Sequence, residues 1–242
     1  MNWFENWFGS PFYKILYQNR DEQEAQEFVE NLLDYLKPPC GCDMLDIACG
    51  EGRFAKQLAE HDFDVVGIDI SHPAIEIAKA YEDDKLHFYV QDMRFPFYIN
   101  YFDFAFNFFT SFGYFKHNRD HKLAARSFAA ALKQDGILVI DYLNYEYVKQ
   151  HMNAEQTIQR GSYTFMVKKS IVRKHIIKHI SFTDADKKHR EFTESVAGFT
   201  LADFVSMFEE AGMALMSTFG DYKLNTYKEA ESPRMIMIFK KK

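Results

Sequence analysis

The chain has 242 residues and a net charge of −6 at neutral pH, with hydrophobic residues at 47% and charged residues at 26%. Those values match a globular protein with a large core and exclude disordered and fibrous classes. The modest acidity argues against a nucleic-acid partner. No apolar run reaches the roughly 20 residues that a membrane helix needs.

The opening MNWFENWFGS carries acid where a secretory signal carries base, and the three cysteines are an odd number, so the expected location is cytoplasmic. Aromatic residues reach 17%, enough to fill a core and also to line an apolar pocket.

In chain order, Trp3, Phe4, Trp7, Phe8, Phe12, Tyr13 and Tyr17 form an aromatic cluster too rich for a solvated tail. From Asp21 to Lys37, Ala25, Phe28, Val29, Leu32, Leu33 and Leu36 recur at helical spacing, and Pro38-Pro39 stops the helix. Short apolar strands then alternate with helices. Strands are expected at Met44–Ala48, Asp64–Ile70, Leu86–Gln91, Phe102–Asn107 and Ile137–Tyr142, and helices at Arg53–Glu60, Pro73–Tyr81 and Leu123–Leu132. This rhythm predicts an α/β fold with a doubly wound parallel sheet.

After Asn144 the pattern changes. SYTFMVKKSIV, HIIKHISFTD and REFTESV alternate polar and apolar residues, with a hairpin turn at Asp184–Asp186. We read an antiparallel insertion too short to hold a core of its own. Thr200 then caps a helix running through Glu210 to Gly212, and strands follow near Ala214–Phe219 and Arg234–Phe239.

Chemistry concentrates in Leu45-Asp46-Ile47-Ala48-Cys49-Gly50-Glu51-Gly52-Arg53. Glycines in a strand-to-helix turn admit a ligand to the backbone. Asp69 lies nineteen residues after Gly50, where a carboxylate accepts the hydroxyl protons of an adenosine ribose. GEGRFA also satisfies a dinucleotide pattern, so a nicotinamide-dependent oxidoreductase is an alternative. Asp46 at the end of the first strand discriminates between them: it would repel a pyrophosphate and attract the ammonium and sulfonium of S-adenosylmethionine.

The D-x-A-C-G-x-G-R segment followed by VVGID-x-S resembles the first two motifs of class I S-adenosylmethionine-dependent methyltransferases. Gln91-Asp92-Met93, the strand from Phe102 to Asn107, the run from Ala131 to Leu138 and Ser232-Pro233-Arg234 are similar to later motifs, in the right order. The resemblance implies a Rossmann-like seven-stranded sheet whose last strand is antiparallel, plus the antiparallel β insertion. It divides the chain into an N-terminal lid and helix (1–40), a cofactor-binding core (41–145), a flap (146–199) and a segment completing the sheet (200–242).

For the cofactor it implies Asp46 near the methionine ammonium through water or a backbone carbonyl. It likewise implies Ala48, Gly50 and Gly52 at the close backbone approach, Asp69 and Ile70 at the ribose, Asp92 and Met93 at the adenine, and Asn107 and Phe108 under the methionine part.

The insertion and the Asn107–Phe115 stretch resemble those of small-molecule N-methyltransferases acting on glycine and amino sugars. The nucleic-acid N-methylating signature is absent, since Asn107 is followed by Phe108 and Phe109. The implied acceptor is a small molecule methylated on nitrogen, with oxygen as the alternative acceptor atom and a non-catalytic cofactor-binding protein as another reading. Tyr13, Tyr17, Tyr114 and Asn144 are expected in the acceptor pocket. No base is marked; His117, Tyr114 and Asp141 are the candidates.

Metal is not expected: Cys40, Cys42 and Cys49 have no CxxC pair or partnered histidine cluster, and of the four-apart pairs His117/His121 and His175/His179 the second, in HIIKH, lacks the adjacent glutamate of a zinc-protease helix. Lys168, Lys169, Arg173, Lys174, His175 and Lys178 form a basic stretch, read as a solvated sheet face or a guide for an anionic substrate. The sequence does not fix the oligomeric state, and a homodimer is compatible with it.

Overall fold

The computed structural model describes residues 7–17 and 22–242, so Trp3, Phe4 and Asp21 lie outside the described residues. Helix α1 (Pro11–Tyr17) and helix α2 (Glu22–Leu36) precede strand β1 (Asp43–Ile47). Then come α3 (Arg53–Ala59), β2 (Asp64–Asp69), α4 (His72–Ala78), β3 (Leu86–Val90), β4 (Phe102–Asn107), α5 (Asn118–Ala131) and β5 (Leu132–Leu143). Helix α6 (Tyr145–His151) leads into β6 (Glu155–Arg160), β7 (Tyr163–Val172), β8 (His175–Thr183) and β9 (His189–Ala197). Helix α7 (Leu201–Glu209), β10 (Met213–Phe219) and β11 (Arg234–Lys241) complete the chain.

The large sheet has the order β10-β11-β5-β4-β1-β2-β3. Neighbours are parallel except for β11, which runs antiparallel to both β10 and β5. The central strands are apolar on both faces, as strands covered on two sides must be. One face is covered by α2, α3 and α4, through Phe28, Leu32, Phe54, Leu58 and Ile75. The other is covered by α5 and α7, through Ala124, Phe128, Phe204 and Phe208. The chain leaves β1 toward β2 and β3, then returns to the other side of β1 as β4. That reversal opens a cleft beyond the carboxyl ends of the strands.

Local chemistry explains the boundaries. Ser71 caps α4, accepting the Ala74 N–H at 3.4 Å, with Pro73 in the first turn. The helix expected to reach Tyr81 ends at Ala78 and continues as a 3-10 turn over Lys79–Tyr81. Thr200 and Asp203 form a reciprocal capping box on α7. The run from Ala131 to Leu138 contains a left-handed residue within β5 (Asp135, φ 65°), where the register against β4 shifts.

The insertion is a separate four-stranded antiparallel sheet, β6-β7-β8-β9. Its first strand, EQTIQR, went unread because Ile158 is its only apolar residue. Helix α6, YEYVKQH, spans only seven residues and is started by Asn144, whose side chain accepts the Glu146 N–H. The expected turn at Asp184–Asp186 is present, its carboxylate accepting backbone N–H bonds from Asp186 and Lys188.

The sheet lacks a core of its own, and the N-terminal aromatics supply one. Trp7 and Leu16 are buried with Phe165, Val167, Ile180 and Phe182, Phe12 lies 4.8 Å from Phe182, and Trp7 lies 4.3 Å from Phe192. Lid and flap are therefore one apolar unit above the cleft.

Gly52, at the entry to α3, has φ 82°, and a Cβ there would sit 2.5 Å from the Phe88 ring and 3.2 Å from Ala78 Cβ. Backbone conformation and helix-to-sheet contact both exclude a side chain. Gly52→Ala should lower stability by about 1–3 kcal/mol, measured as a reduced urea midpoint at unchanged slope.

Candidate active site

The cleft is a cavity of about 510 Å³ at the carboxyl ends of β1 to β4, walled by the loops that follow them and roofed by Phe8, Tyr13 and Tyr17. Asp46, the fourth residue of β1, is 1% exposed. One carboxylate oxygen accepts the Ala55 N–H; the other, Oδ2, has no hydrogen-bond partner. Burial, reinforced by the nearby charge of Asp69, pushes its pKa up to about 7, against the opposing effects of the Ala55 hydrogen bond and Arg53.

Asp69, the last residue of β2, accepts the Gly50 N–H at 2.9 Å and the Ser71 N–H at 2.7 Å, one on each oxygen. Burial raises its pKa also, opposed by those backbone bonds. The two carboxylates thus face one cleft from neighbouring strands. At Gly50 (φ 58°) a Cβ would meet nothing within 4 Å, so the missing side chain leaves the cavity open there.

Ala48, Ile70, Asp92, Met93 and Phe108 all line the cavity. Asp92 is held in place by Arg94, whose Nε lies 3.1 and 3.0 Å from its two oxygens.

The structure relocates several other expected site residues. Gly52 does not line the cavity; its constraint is the Phe88 ring. Asn107 is fully buried below the floor, donating to the Ile47 carbonyl at 2.9 Å and so bracing β4 against β1. Asn144 is a helix cap that also donates to the Glu229 and Ser232 carbonyls. His117 is exposed at the N-cap of α5 and faces neither cavity.

Asp141 is buried in an ion pair with Arg234, whose Nε lies 2.7 Å away, and also accepts from Tyr222 Oη and the Phe109 N–H. With no exposed surface, it has no route to an acceptor.

Asp141 does shape the site indirectly. Phe109 and Thr110 are consecutive non-glycine residues at positive φ, 57° and 61°. Such a backbone persists only when its surroundings over-determine it. Here Asp141 binds both N–H groups, through its side chain and its carbonyl, while Arg234 and the Leu143 N–H bond to Thr110 Oγ1. The loop is thereby fixed so that Thr110 and Tyr114 line the cleft and also a second cavity of about 420 Å³ beside it. That second cavity, and the wall residues Phe8, Arg53, Phe109, Thr110 and Ser111, were missed. Each lies in a stretch the sequence singles out: Phe8 in the N-terminal aromatic cluster, Arg53 at the end of the glycine segment, and Phe109, Thr110 and Ser111 in the Asn107–Phe115 stretch. Among the described residues no group of His, Cys, Asp and Glu is arranged to hold a metal ion, and no helix is long and apolar enough to cross a membrane.

The arrangement fits S-adenosylmethionine. An unpartnered buried carboxylate suits an ammonium, a second carboxylate at the end of β2 suits a ribose diol, and the glycine gap admits the cofactor to the backbone.

Comparison with known proteins agrees. The model of a family described as "Methyltransferase domain" matches residues 17–217. A putative methyltransferase, YqeM, of Bacillus subtilis (strain 168) is 36% identical over 104 residues, 40% of this chain and 41% of that protein. The dTDP-3-amino-3,4,6-trideoxy-alpha-D-glucopyranose N,N-dimethyltransferase of Streptomyces venezuelae is 24% identical over 211 residues, covering 83% of this chain and 88% of the relative. An S-adenosylmethionine-dependent methyltransferase from Clostridium acetobutylicum ATCC 824 superimposes with a TM-score of 0.79 at 16% identity, over 95% of this chain and 96% of that one, which establishes the likeness of fold.

The raised pKa of Asp46 has a signed consequence. Below about pH 7 the folded, empty protein keeps Asp46 protonated while the unfolded chain ionises near pH 3.8. The folded state therefore holds the extra proton, and its stability falls as pH rises from about 4 to 7. A bound ammonium favours the ionised form, so affinity for S-adenosylhomocysteine should rise as pH passes from 6 to 8, with proton release below pH 7. Calorimetry in buffers of different ionisation enthalpy measures both. Asp46→Asn should flatten the profile, weaken binding and raise the urea midpoint of the empty protein at pH 8.

Proposed function

Because the chain belongs to the methyltransferase domain family and takes its methyl group from S-adenosylmethionine, we propose that it methylates a nitrogen of a small-molecule acceptor. The observation that carries this reading is the closed roof. Tyr13, Tyr17 and Phe8, backed by the flap, leave room over the cleft for a small molecule rather than a polymer. The relative acting on an amino sugar supports nitrogen as the acceptor atom. Neither a nicotinamide oxidoreductase nor a non-catalytic binding protein accords with the family.

When bound, the cofactor supplies a methyl group already activated on a sulfonium. The protein's tasks are then to hold, orient and desolvate. Asp46 would hold the ammonium end, Asp69 the ribose, and Asp92, fixed by Arg94, the adenine amine. Phe108, Phe109 and Tyr114 would keep the transfer path dry, with ring faces suited to a cation. The nucleophile approaches between Thr110 and Tyr114 from the roofed side. Thr110 Oγ1 accepts from Arg234 and Leu143, which occupies both lone pairs and leaves its proton to donate. No side chain is needed to form a covalent intermediate. An amine that arrives neutral requires no strong base, which accords with the absence of His117 and Asp141 from the cavity walls.

The test is methyl-tritiated S-adenosylmethionine with a cell extract, followed by separation of labelled products by class. Label should collect in amines, with one S-adenosylhomocysteine formed per methyl transferred. Label in ethers or esters would move the acceptor atom to oxygen, and labelled nucleic acid or protein would overturn the small-molecule reading.

A further inference from the structure

The inner face of the flap is apolar except for one row. By strand register, Val167, Ile180 and Phe192 face one another, as do Ile171, Ile176 and Val196. Between these two rows, on the same face, lie Lys169, Lys178 and Glu194, each directly opposite the next. Like charges placed directly opposite on a sheet are destabilising, and a charged row inside an apolar face costs further desolvation. A solvated sheet face does not describe it, because the Lys178 and Glu194 side chains are only 15% and 14% exposed.

All three residues line the second cavity, together with Arg234, Tyr147 and His151. Two of the three cations there are matched. Lys178 lies 3.6 Å from Glu194, and Arg234 is paired with Asp141. Lys169 makes no ion pair with any described residue; its neighbour Lys168, on the outer face, is the one bonded to Glu155. The second cavity therefore carries a positive surplus. The first carries the reverse, with Glu51, Asp69 and Asp92, joined by Asp46 once it ionises, against Lys14 and Arg53. The two cavities share Thr110 and Tyr114, so a molecule held in the second can present an atom to the first.

We infer that the second cavity binds an anionic group of the acceptor, a carboxylate or a phosphate ester, with Lys169 and Lys178 as its ligands. The inference rests on the methyl-transfer reading for the identity of its occupant, but the anion site itself is testable without turnover.

The protein saturated with S-adenosylhomocysteine is titrated at constant ionic strength with sodium phosphate and, separately, with sodium acetate. Saturable one-site binding of either is expected. It should weaken at least fivefold in Lys169→Gln and stay unchanged in Lys168→Gln. Phosphate binding without acetate binding would assign a phosphate ester, and the converse a carboxylate. Absence of saturable binding, or equal weakening in both variants, would overturn the site.

In a second arm, phosphoethanolamine is compared with ethanolamine, and β-alanine with 3-aminopropanol, as methyl acceptors. An anionic member should be favoured at least tenfold in kcat/KM, through KM, and Lys169→Gln should abolish that preference. A neutral member favoured equally would overturn the proposal. Failure to bind S-adenosylhomocysteine at all would strike at the methyl-transfer reading instead and leave the phosphate titration readable on the same protein.

Discussion

Burying a carboxylate without a partner for one of its oxygens is among the more expensive things a fold can do, and Asp46 does so near the carboxyl end of β1, an interior strand of the large sheet. The cost is tolerable because the proton remains available: the empty site keeps the group neutral up to about pH 7. The arrangement amounts to a stored preference for a cation. Any cationic ligand that reaches Asp46 recovers the Coulombic attraction in a low-dielectric setting, whereas a second anion would meet Asp46 and Asp69 together. The remaining features of the cleft follow from keeping this carboxylate dry yet reachable. Gly50 leaves the approach open, and the aromatic roof excludes bulk water.

A second buried carboxylate, Asp141, behaves in the opposite way. It is saturated by Arg234, Tyr222 and two backbone N–H groups of the loop after β4, if its main-chain carbonyl is counted with its side chain. It does mechanical work, holding Phe109 and Thr110 in a conformation they would not adopt unaided. One anion is thus left unsatisfied for a ligand, while another is fully satisfied so that a wall keeps its shape. Telling them apart needs the partners, since both are Asp near the carboxyl end of a core strand.

That distinction marks the limit of what the sequence discloses. The α/β order, the strands near their true boundaries, and Asp46, Gly50 and Asp69 were legible because they depend on local periodicity and on fixed spacing within one β-α-β unit. Asp92 and Met93 entered through the resemblance of Gln91-Asp92-Met93 to a later family motif, and both line the cavity. Gly52 was placed at the ligand because a glycine's two uses, admitting a ligand and admitting a packed ring, look identical in sequence; only the Phe88 contact separates them. Asn107, Asn144 and Asp141 share a related ambiguity. Each is a polar residue at a strand end whose partners, Ile47, Ser232 and Arg234, come from distant segments. Strand β6 was invisible because Ile158 is its single apolar residue, and helix α6 because seven residues are too few to set a helical period.

The flap shows how such distant pairings create function that no segment holds alone. Its sheet exposes an apolar face that the N-terminal aromatics cover, so neither element is stable in place without the other. Trp7 Nε1 and Tyr17 Oη both donate to Glu194 Oε1 at 2.7 Å, and Lys178 bonds to the same Tyr17 hydroxyl. The lid is therefore tied to the charged row across the roof of the cleft, with Lys14 and Glu51 forming a second tie to the loop after β1. Lifting the lid would expose the buried Trp7 and break these polar contacts.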